Sequence, residues 1–279
     1  MIISVASGKG GTGKTTVASS LALSLDKDTQ LLDCDVEAPN AHLFVHPEFE
    51  NEEKITVPVP KVDDDQCTGC GQCTEICQFN AIVNIADTIM TFPELCHGCG
   101  GCQAVCPAGA IKDGERTIGV IQHGLCSGMD FVHGRLRIGE AMAPPLIRQV
   151  RSRINPDKTA VIDAPPGTSC PVIAAIRGTD FVLLVAEPTP FGLNDLELAV
   201  ETVKILKIPC GLIINRSDIG DSRVAQYAAR ENIPILMEIP YDRKIAEAYC
   251  RGEALADAFP EWRLRFGRLY EDITELMAP

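Results

Sequence analysis

The chain has 279 residues, 46% of them hydrophobic, and a formal net charge of −13, enough apolar material for one large domain or for a medium one with a small companion. That charge has the wrong sign for work on phosphate backbones, so no nucleic-acid partner is expected. Met1 runs straight into IISVA without a basic or long apolar leader, and the longest apolar runs, such as FVLLVA (181–186), have strand length rather than membrane-span length, so a soluble cytoplasmic protein is expected.

IISVA (2–6) is a short apolar run, followed by a Gly-rich turn and by KTTVASSLALSL, whose apolar residues at 17, 18, 21, 22 and 25 have helical spacing. This predicts strand, loop, helix. QLLDCD (30–35) reads as the next strand, ending in carboxylates. VPVPKVDDDQ, around Pro58, reads as a Pro- and Asp-rich seam. Two matching cysteine runs follow. Cys67, Cys70, Cys73 and Cys77 precede QFNAI, and Cys96, Cys99, Cys102 and Cys106 precede PAGAI, both spaced C-x2-C-x2-C-x3-C and 29 residues apart. They form an internally duplicated module.

TIGVIQHG and FVHGRLRIG read as strands, and then a regular alternation resumes. TAVID (159–163), FVLLVAE (181–187), CGLIIN (210–215) and ILMEIP (235–240) are apolar runs, separated by helical segments such as LNDLELAVETVKIL (193–206) and SRVAQYAAREN (222–232). The pattern predicts an α/β domain, residues 1–57 and 110–279, with a mostly parallel sheet covered by helices on both faces. A small α+β domain, residues 58–109, interrupts it. The final stretch EWRLRFGRLYEDITELM has an apolar stripe at 262, 266, 269, 270, 273 and 276, with acids and bases in similar number. It reads as a helix docked on its own domain rather than as a grip on anionic membranes.

GKGGTGKT, Gly8 to Thr15, satisfies G-x4-G-K-S/T in the strand, loop, helix context that this phosphate loop requires. Gly8, Gly10, Gly11 and Gly13 let the amides of the loop, through Thr12 to Thr16, point at phosphate oxygens. Lys14 would neutralise β/γ-phosphate charge, and the Thr15 hydroxyl would ligate Mg²⁺. Lys9 adds a second lysine, giving KGGxGKT. With it the chain resembles the deviant Walker A ATPases, the family of MinD, ParA, the Mrp-type cluster carriers and the nitrogenase iron protein.

The resemblance implies that Lys9 reaches the partner subunit's nucleotide, in a homodimer with two ATP molecules sandwiched at its interface. DCDVEAPN (33–40) matches the family's first switch: Asp35 would position the attacking water, and Asp33 would support Mg²⁺ or the loop. DAPPGT (163–168) resembles the second switch, with Asp163 holding Mg²⁺ through water and the Gly167 amide meeting the γ-phosphate. Asn215 resembles the adenine-reading asparagine, with Pro240 and Tyr241 lining the base pocket. NRSD (215–218) also looks like a guanine-reading N-K-x-D with Arg216 in place of lysine, so GTP stands as the alternative; the IPYDRKIAEA context favours ATP.

Each four-cysteine run matches the bacterial ferredoxin pattern, in which the fourth cysteine crosses to the other cluster. Cys67, Cys70, Cys73 and Cys106 are expected to hold one [4Fe-4S] cluster, and Cys96, Cys99, Cys102 and Cys77 the second. Zinc on the CxxC pairs is the competing assignment. Pro107 follows Cys106 as the pattern asks, whereas Gln78 follows Cys77, which would alter hydrogen bonding at the cluster Cys77 serves. His97 is expected to be solvated.

Of the remaining Cys34, Cys126, Cys170, Cys210 and Cys250, most are expected to be packed small residues. Cys170 lies seven residues after Asp163, as a cluster ligand does in the nitrogenase iron protein; with Cys126 as second ligand, a dimer would hold a bridging cluster. The C-terminal CPxC of the Mrp-type carriers is lacking, which weighs against a scaffold role. The whole pattern resembles a MinD-superfamily ATPase with an inserted ferredoxin domain. It implies ATP hydrolysis coupled to electron transfer or redox sensing by two clusters, with a redox or regulatory protein as partner. Cluster transfer and MinD-like positioning are the alternatives.

Overall fold

A computed structural model of the chain describes residues 1–86 and 88–278. It comprises two compact units: a larger one of Met1–Glu53, Val120–Leu136 and Ala143–Pro279, and a smaller one of Lys54–Gly119 with Arg137–Met142. The strands are β1 (Ile2–Ala6), β2 (Thr29–Asp33), β3 (Glu48–Val62), β4 (Ile82–Ile85), β5 (Thr88–Thr91), β6 (Ile111–Cys126), β7 (Met129–Leu136), β8 (Thr159–Asp163), β9 (Phe181–Ala186), β10 (Cys210–Asn215) and β11 (Ile235–Ile239). The helices are α1 (Lys14–Ser24), α2 (His42–Val45), α3 (Gln72–Ile76), α4 (Gly101–Ala104), α5 (Pro144–Arg151), α6 (Cys170–Ile176), α7 (Pro190–Ile205), α8 (Arg223–Arg230), α9 (Arg243–Cys250), α10 (Leu255–Ala258) and α11 (Pro260–Met277).

The strands form a nine-stranded sheet in the order β11-β10-β9-β1-β8-β2-β7-β6-β3, of which β11 to β7 belong wholly to the larger unit. From β11 to β7 every neighbouring pair is parallel, which agrees with the near-continuous apolar runs of strands buried on both faces. The spacing seen in the KTTVASSLALS segment buries Val17, Ala18, Leu21 and Ala22 of α1 completely. Trp262, Phe266, Leu269 and Ile273 of α11 pack into the same core, and the Arg263 guanidinium donates to the Leu23 carbonyl at 2.7 Å. The apolar stripe of the last helix is thus covered by its own unit. Among the described residues no helix is long and apolar enough to cross a membrane.

The register matters for chemistry. Asp33 and Asp163 end β2 and β8 as directly paired residues, so two carboxylates meet at the carboxyl edge of the parallel strands, where α/β sheets place their ligands.

The VPVPKV part of the seam lies in β3, with Ile55, Val57 and Val59 buried in period two. The strand lies at the end of the sheet order, and an edge strand tolerates Pro58 and Pro60 because a missing N–H on the open side breaks no ladder bond.

The smaller unit contains the antiparallel pair β4 and β5 and the short helices α3 and α4. Each of these starts after a glycine in the left-handed region, Gly71 at φ 77° and Gly100 at φ 71°, the structural echo of the duplicated sequence. Its apolar clusters are small: Cys73, Ile82, Ile89 and Ile111 in one, and Val59, Ala81 and Cys96 in the other.

Candidate functional site

In the larger unit the loop after β1 delivers the chain into α1 through Gly13, whose φ of 96° suits only glycine and whose Cβ would lie 2.5 Å from the Asn215 amide nitrogen. At Gly10 and Gly11 the corresponding space is open, with no atom within 4 Å. The loop therefore presents backbone at the amino end of a helix, a ready anion cradle. The Thr15 hydroxyl donates to Asp163 Oδ2 at 2.6 Å. The other oxygen, Asp163 Oδ1, is buried without a hydrogen-bond partner among the described residues, as is Thr12 Oγ1. Orphaned polar atoms of this kind at a phosphate loop fit a bound Mg²⁺·nucleotide.

Burial pushes the Asp163 carboxyl up to about 6, with the charge of Lys14 and the Thr15 hydrogen bond pulling it back. Burial likewise raises Asp35, again opposed by Lys14. The buried Lys14 side chain thus acts on both carboxylates. Asp33 is raised well above its ordinary range, chiefly by burial and then by the neighbouring Asp163. Its oxygens accept the amides of Asp35, Asn40 and Ala41, each at 3.0 Å. These three bonds shape the 35–41 loop.

Gly167, at φ 97°, donates its amide to the Ser7 carbonyl at 3.0 Å. Lys9 does not extend outward: its ammonium lies 3.4 Å from Glu187, which also binds the Arg216 guanidinium at 2.7 Å. Asn215 donates to the Thr12 carbonyl at 2.8 Å and accepts the Arg216 amide at 3.0 Å, so its side chain braces the loop. The Tyr241 amide donates to Asp218 at 2.6 Å. Tyr241 and Pro240 are exposed beside it.

In the smaller unit the eight module cysteines line two cavities. One is lined by Cys67, Cys70, Cys73 and Cys106 together with Val62, Ile89 and Ile111. The other, of about 300 Å³, is lined by Cys77, Cys96, Cys99 and Cys102 together with Phe79 and His97. Each cavity thus takes three cysteines from one run and the last from the other. Among the described residues no three His, Cys, Asp or Glu side chains are gathered closely enough for a single metal ion; the thiols stand around space instead. The Gly98 amide donates to Cys96 Sγ and the Ala110 amide to Cys106 Sγ, both at 3.3 Å, the kind of bond that tunes a thiolate ligand. Burial raises the Cys73 and Cys102 thiols above their ordinary range. The donor set, four thiols per cavity in apolar surroundings with amide donors, fits [4Fe-4S] clusters. His97 stacks on Phe79 with ring centroids 3.7 Å apart.

The model of the CobQ/CobB/MinD/ParA nucleotide-binding domain family matches residues 3–255. The chain belongs to this family. It is a P-loop ATPase. An uncharacterized protein of Methanocaldococcus jannaschii is 31% identical over 288 aligned positions, covering 99% of this chain and 98% of that protein. An iron-sulfur cluster carrier protein of Pyrococcus horikoshii is 24% identical, over 88% of this chain and 76% of its own length. Among solved structures, septum site-determining protein MinD of Pyrococcus horikoshii, complexed with Mg-ADP, superposes with a TM-score of 0.62 at 20% identity, covering 99% of this chain and 96% of that one. The fold of this family member is therefore MinD-like.

Two side chains of this ATPase carry weight that no motif announces. Glu187 ends the apolar run of β9 and ties Lys9 to Arg216; a polar residue closing a buried strand was the signal available. Arg116 is buried with Glu140, forms an ion pair with it, and donates to the Cys96 carbonyl at 3.4 Å. The structure does not bring Cys126 and Cys170 together. Cys126 ends β6, just before β7 starts alongside Gln30, and packs on the main core; Cys170 follows the carboxyl end of β8. Cys126 is a strand residue, whereas Cys170 is the first residue of helix α6.

Proposed function

We propose that this ATPase is a homodimer that couples ATP binding and hydrolysis to electron transfer or redox sensing by two [4Fe-4S] clusters held in the smaller unit. The observation that carries the reading is the sorting of eight cysteines into two separate four-thiol cavities, each completed by the last cysteine of the opposite run. Cys67, Cys70, Cys73 and Cys106 would hold one cluster, and Cys77, Cys96, Cys99 and Cys102 the other. Such clusters supply one-electron chemistry at potentials set by hydrogen bonds to sulfur and by exposure. The amides of Gly98 and Ala110 and the Arg116 contact to Cys96 are the protein's means of adjusting them.

At the nucleotide, Lys14 and the loop amides would hold the β- and γ-phosphates, while Thr15 and Asp163 would hold Mg²⁺, which neutralises charge on the phosphates. Asp35 positions the attacking water, and Asp33 keeps its loop in shape. Lys9 leaves Glu187 to reach the partner's nucleotide, and the Gly167 amide leaves Ser7 for the γ-phosphate, so that both contacts serve as reporters of the bound state. Adenine is favoured over guanine because Asp218, which a guanine reader needs free, accepts the Tyr241 amide.

The test is anaerobic purification with measurement of iron, the reduced-state EPR spectrum and the ATPase rate with clusters oxidised and reduced. About eight irons per chain and a redox-dependent rate support the proposal; an indifferent rate with nucleotide-independent potentials overturns the coupling. A second reading, cluster transfer, is favoured by the likeness to an iron-sulfur cluster carrier protein. It requires a labile cluster that moves to an apo-acceptor.

A further inference from the structure

Most arginines in this chain are paired with carboxylates, and those that are not line two clefts. Of fifteen arginines, ten form salt bridges with Asp or Glu. Among the described residues the other five form none, and three of them, Arg148, Arg151 and Arg177, line a single cleft between α5 and α6. No carboxylate lines that cleft. The remaining two, Arg265 and Arg268, share their cleft with Glu238 and Asp272. In a chain of net charge −13, three guanidiniums without a carboxylate around one space are a selective attraction for an anion.

The space is about 470 Å³, the size of a small-molecule site. Arg151 is fixed from within: its guanidinium donates to the carbonyls of Ala174, at 3.3 Å, and Arg177. The same cleft contains one thiol, that of the exposed Cys170. An exposed thiol in electropositive surroundings is the setting in which cysteines react.

We propose that this cleft is a thiol-disulfide exchange site at which Cys170 reacts with small anionic disulfides recruited by Arg148, Arg151 and Arg177. The Cys170 thiol gives its proton to solvent, and its sulfur attacks one sulfur of the disulfide. A new Sγ–S bond forms, the original S–S bond breaks, and the departing thiolate carries away the electron pair. A free small thiol reverses the step, so the site records the thiol-disulfide balance at the start of α6, seven residues after Asp163. This goes beyond the cluster-coupled reading and does not depend on it.

The experiment uses nucleotide-free, anaerobically purified full-length protein and two probes, the dianionic disulfide 5,5′-dithiobis(2-nitrobenzoate) and the neutral 4,4′-dithiodipyridine, with adducts located by peptide mass spectrometry. Cys250, also exposed, is the internal reference. At low ionic strength the anionic probe is expected to label Cys170 at least about tenfold faster than Cys250, the scale of electrostatic steering, and the neutral probe to show no such preference. The R148Q/R177Q double variant, at two exposed positions, is expected to slow the anionic probe at Cys170 roughly tenfold and leave the neutral probe within about twofold. Equal selectivity of the two probes, insensitivity to the arginine replacements, or equal slowing of both probes overturns the proposal. The neutral probe separates loss of steering from misfolding.

Discussion

The nucleotide loop and the cysteine module are both short, Gly-punctuated motifs, yet they are held in opposite ways. The loop is braced by protein alone: Thr15 binds Asp163, Asn215 binds the Thr12 carbonyl, and Lys9 binds Glu187, all beside the central strands β1, β8 and β9, which are buried on both faces. The cysteine unit rests on two small clusters in which Cys73 and Cys96 themselves count as core, while Ile76, Phe79, Ile85, Met90 and Leu95 stay exposed. A unit that buries so little apolar surface needs a further cross-link. The difference teaches that protein contacts fix the shape of one site, whereas the other has little apolar packing of its own to hold it.

Stripping iron from the holoprotein with a chelator breaks the comparison most directly. Amide-exchange protection is expected to vanish across 54–119 and to persist in β1, β8 and β9; retained protection in the module would show that it has a sufficient core of its own. Next in size, Lys14→Ala is expected to lower the ATPase rate by about 10²–10³-fold with iron content unchanged, since the two sites draw on different supports. A parallel loss of iron would mean that they share one.

A pH series sharpens the electrostatics of the braced site. The Asp163 carboxyl, raised from 3.8 to about 6 by burial, stabilises the ligand-free fold while protonated, and that contribution is lost as pH rises through about 6. Mg²⁺ requires the carboxylate, so Mg²⁺·ATP affinity is expected to weaken up to about tenfold per pH unit below 6, with proton release on binding seen by calorimetry. His133, pushed from 6.5 down to about 4 by burial and then by His42 and Arg135, acts with the opposite sign: its contribution is lost as pH falls through that window. Asp33 and Asp35, also raised by burial, add to the Asp163 contribution, and His42 and His123, lowered by burial, add to that of His133, so thermal stability sums groups of both signs and binding is the informative measurement. The smallest effect is expected from Glu187→Gln, which frees Lys9 and Arg216 at a cost of about 1 kcal/mol in denaturant unfolding; a cost beyond about 3 kcal/mol would make Glu187 a structural keystone rather than a latch.

Contiguous segments carried their own meaning. Gly8 to Thr15 and the two cysteine runs are legible because backbone amides around phosphate, and thiols at fixed spacing, are chemistry that a dozen residues complete. The alternating apolar runs likewise announced β1, β8, β9 and β10, because burial on both faces leaves no room for polar side chains. What stayed hidden lies across the sheet. Period-two burial of Ile55, Val57 and Val59 was masked by Pro58 and Pro60, which read as a seam until β3 is seen at an edge. The partners of Thr15, Lys9, Asn215 and Arg116 stand from 24 to more than 200 residues away, and no local pattern names them.

The sequence by itself determined which chemistry is available: a phosphate loop in an α/β ATPase of this family and eight thiols in two runs. Only the tertiary structure decided which groups meet. Strand order set Asp33 beside Asp163, turned Lys9 toward Glu187, parted Cys126 from Cys170, and gathered three unpaired arginines around one thiol. The physical reason is that spacing along the chain governs what a turn or helix can present, whereas side chains on different strands are brought together by the burial that packs the sheet, which no short segment contains.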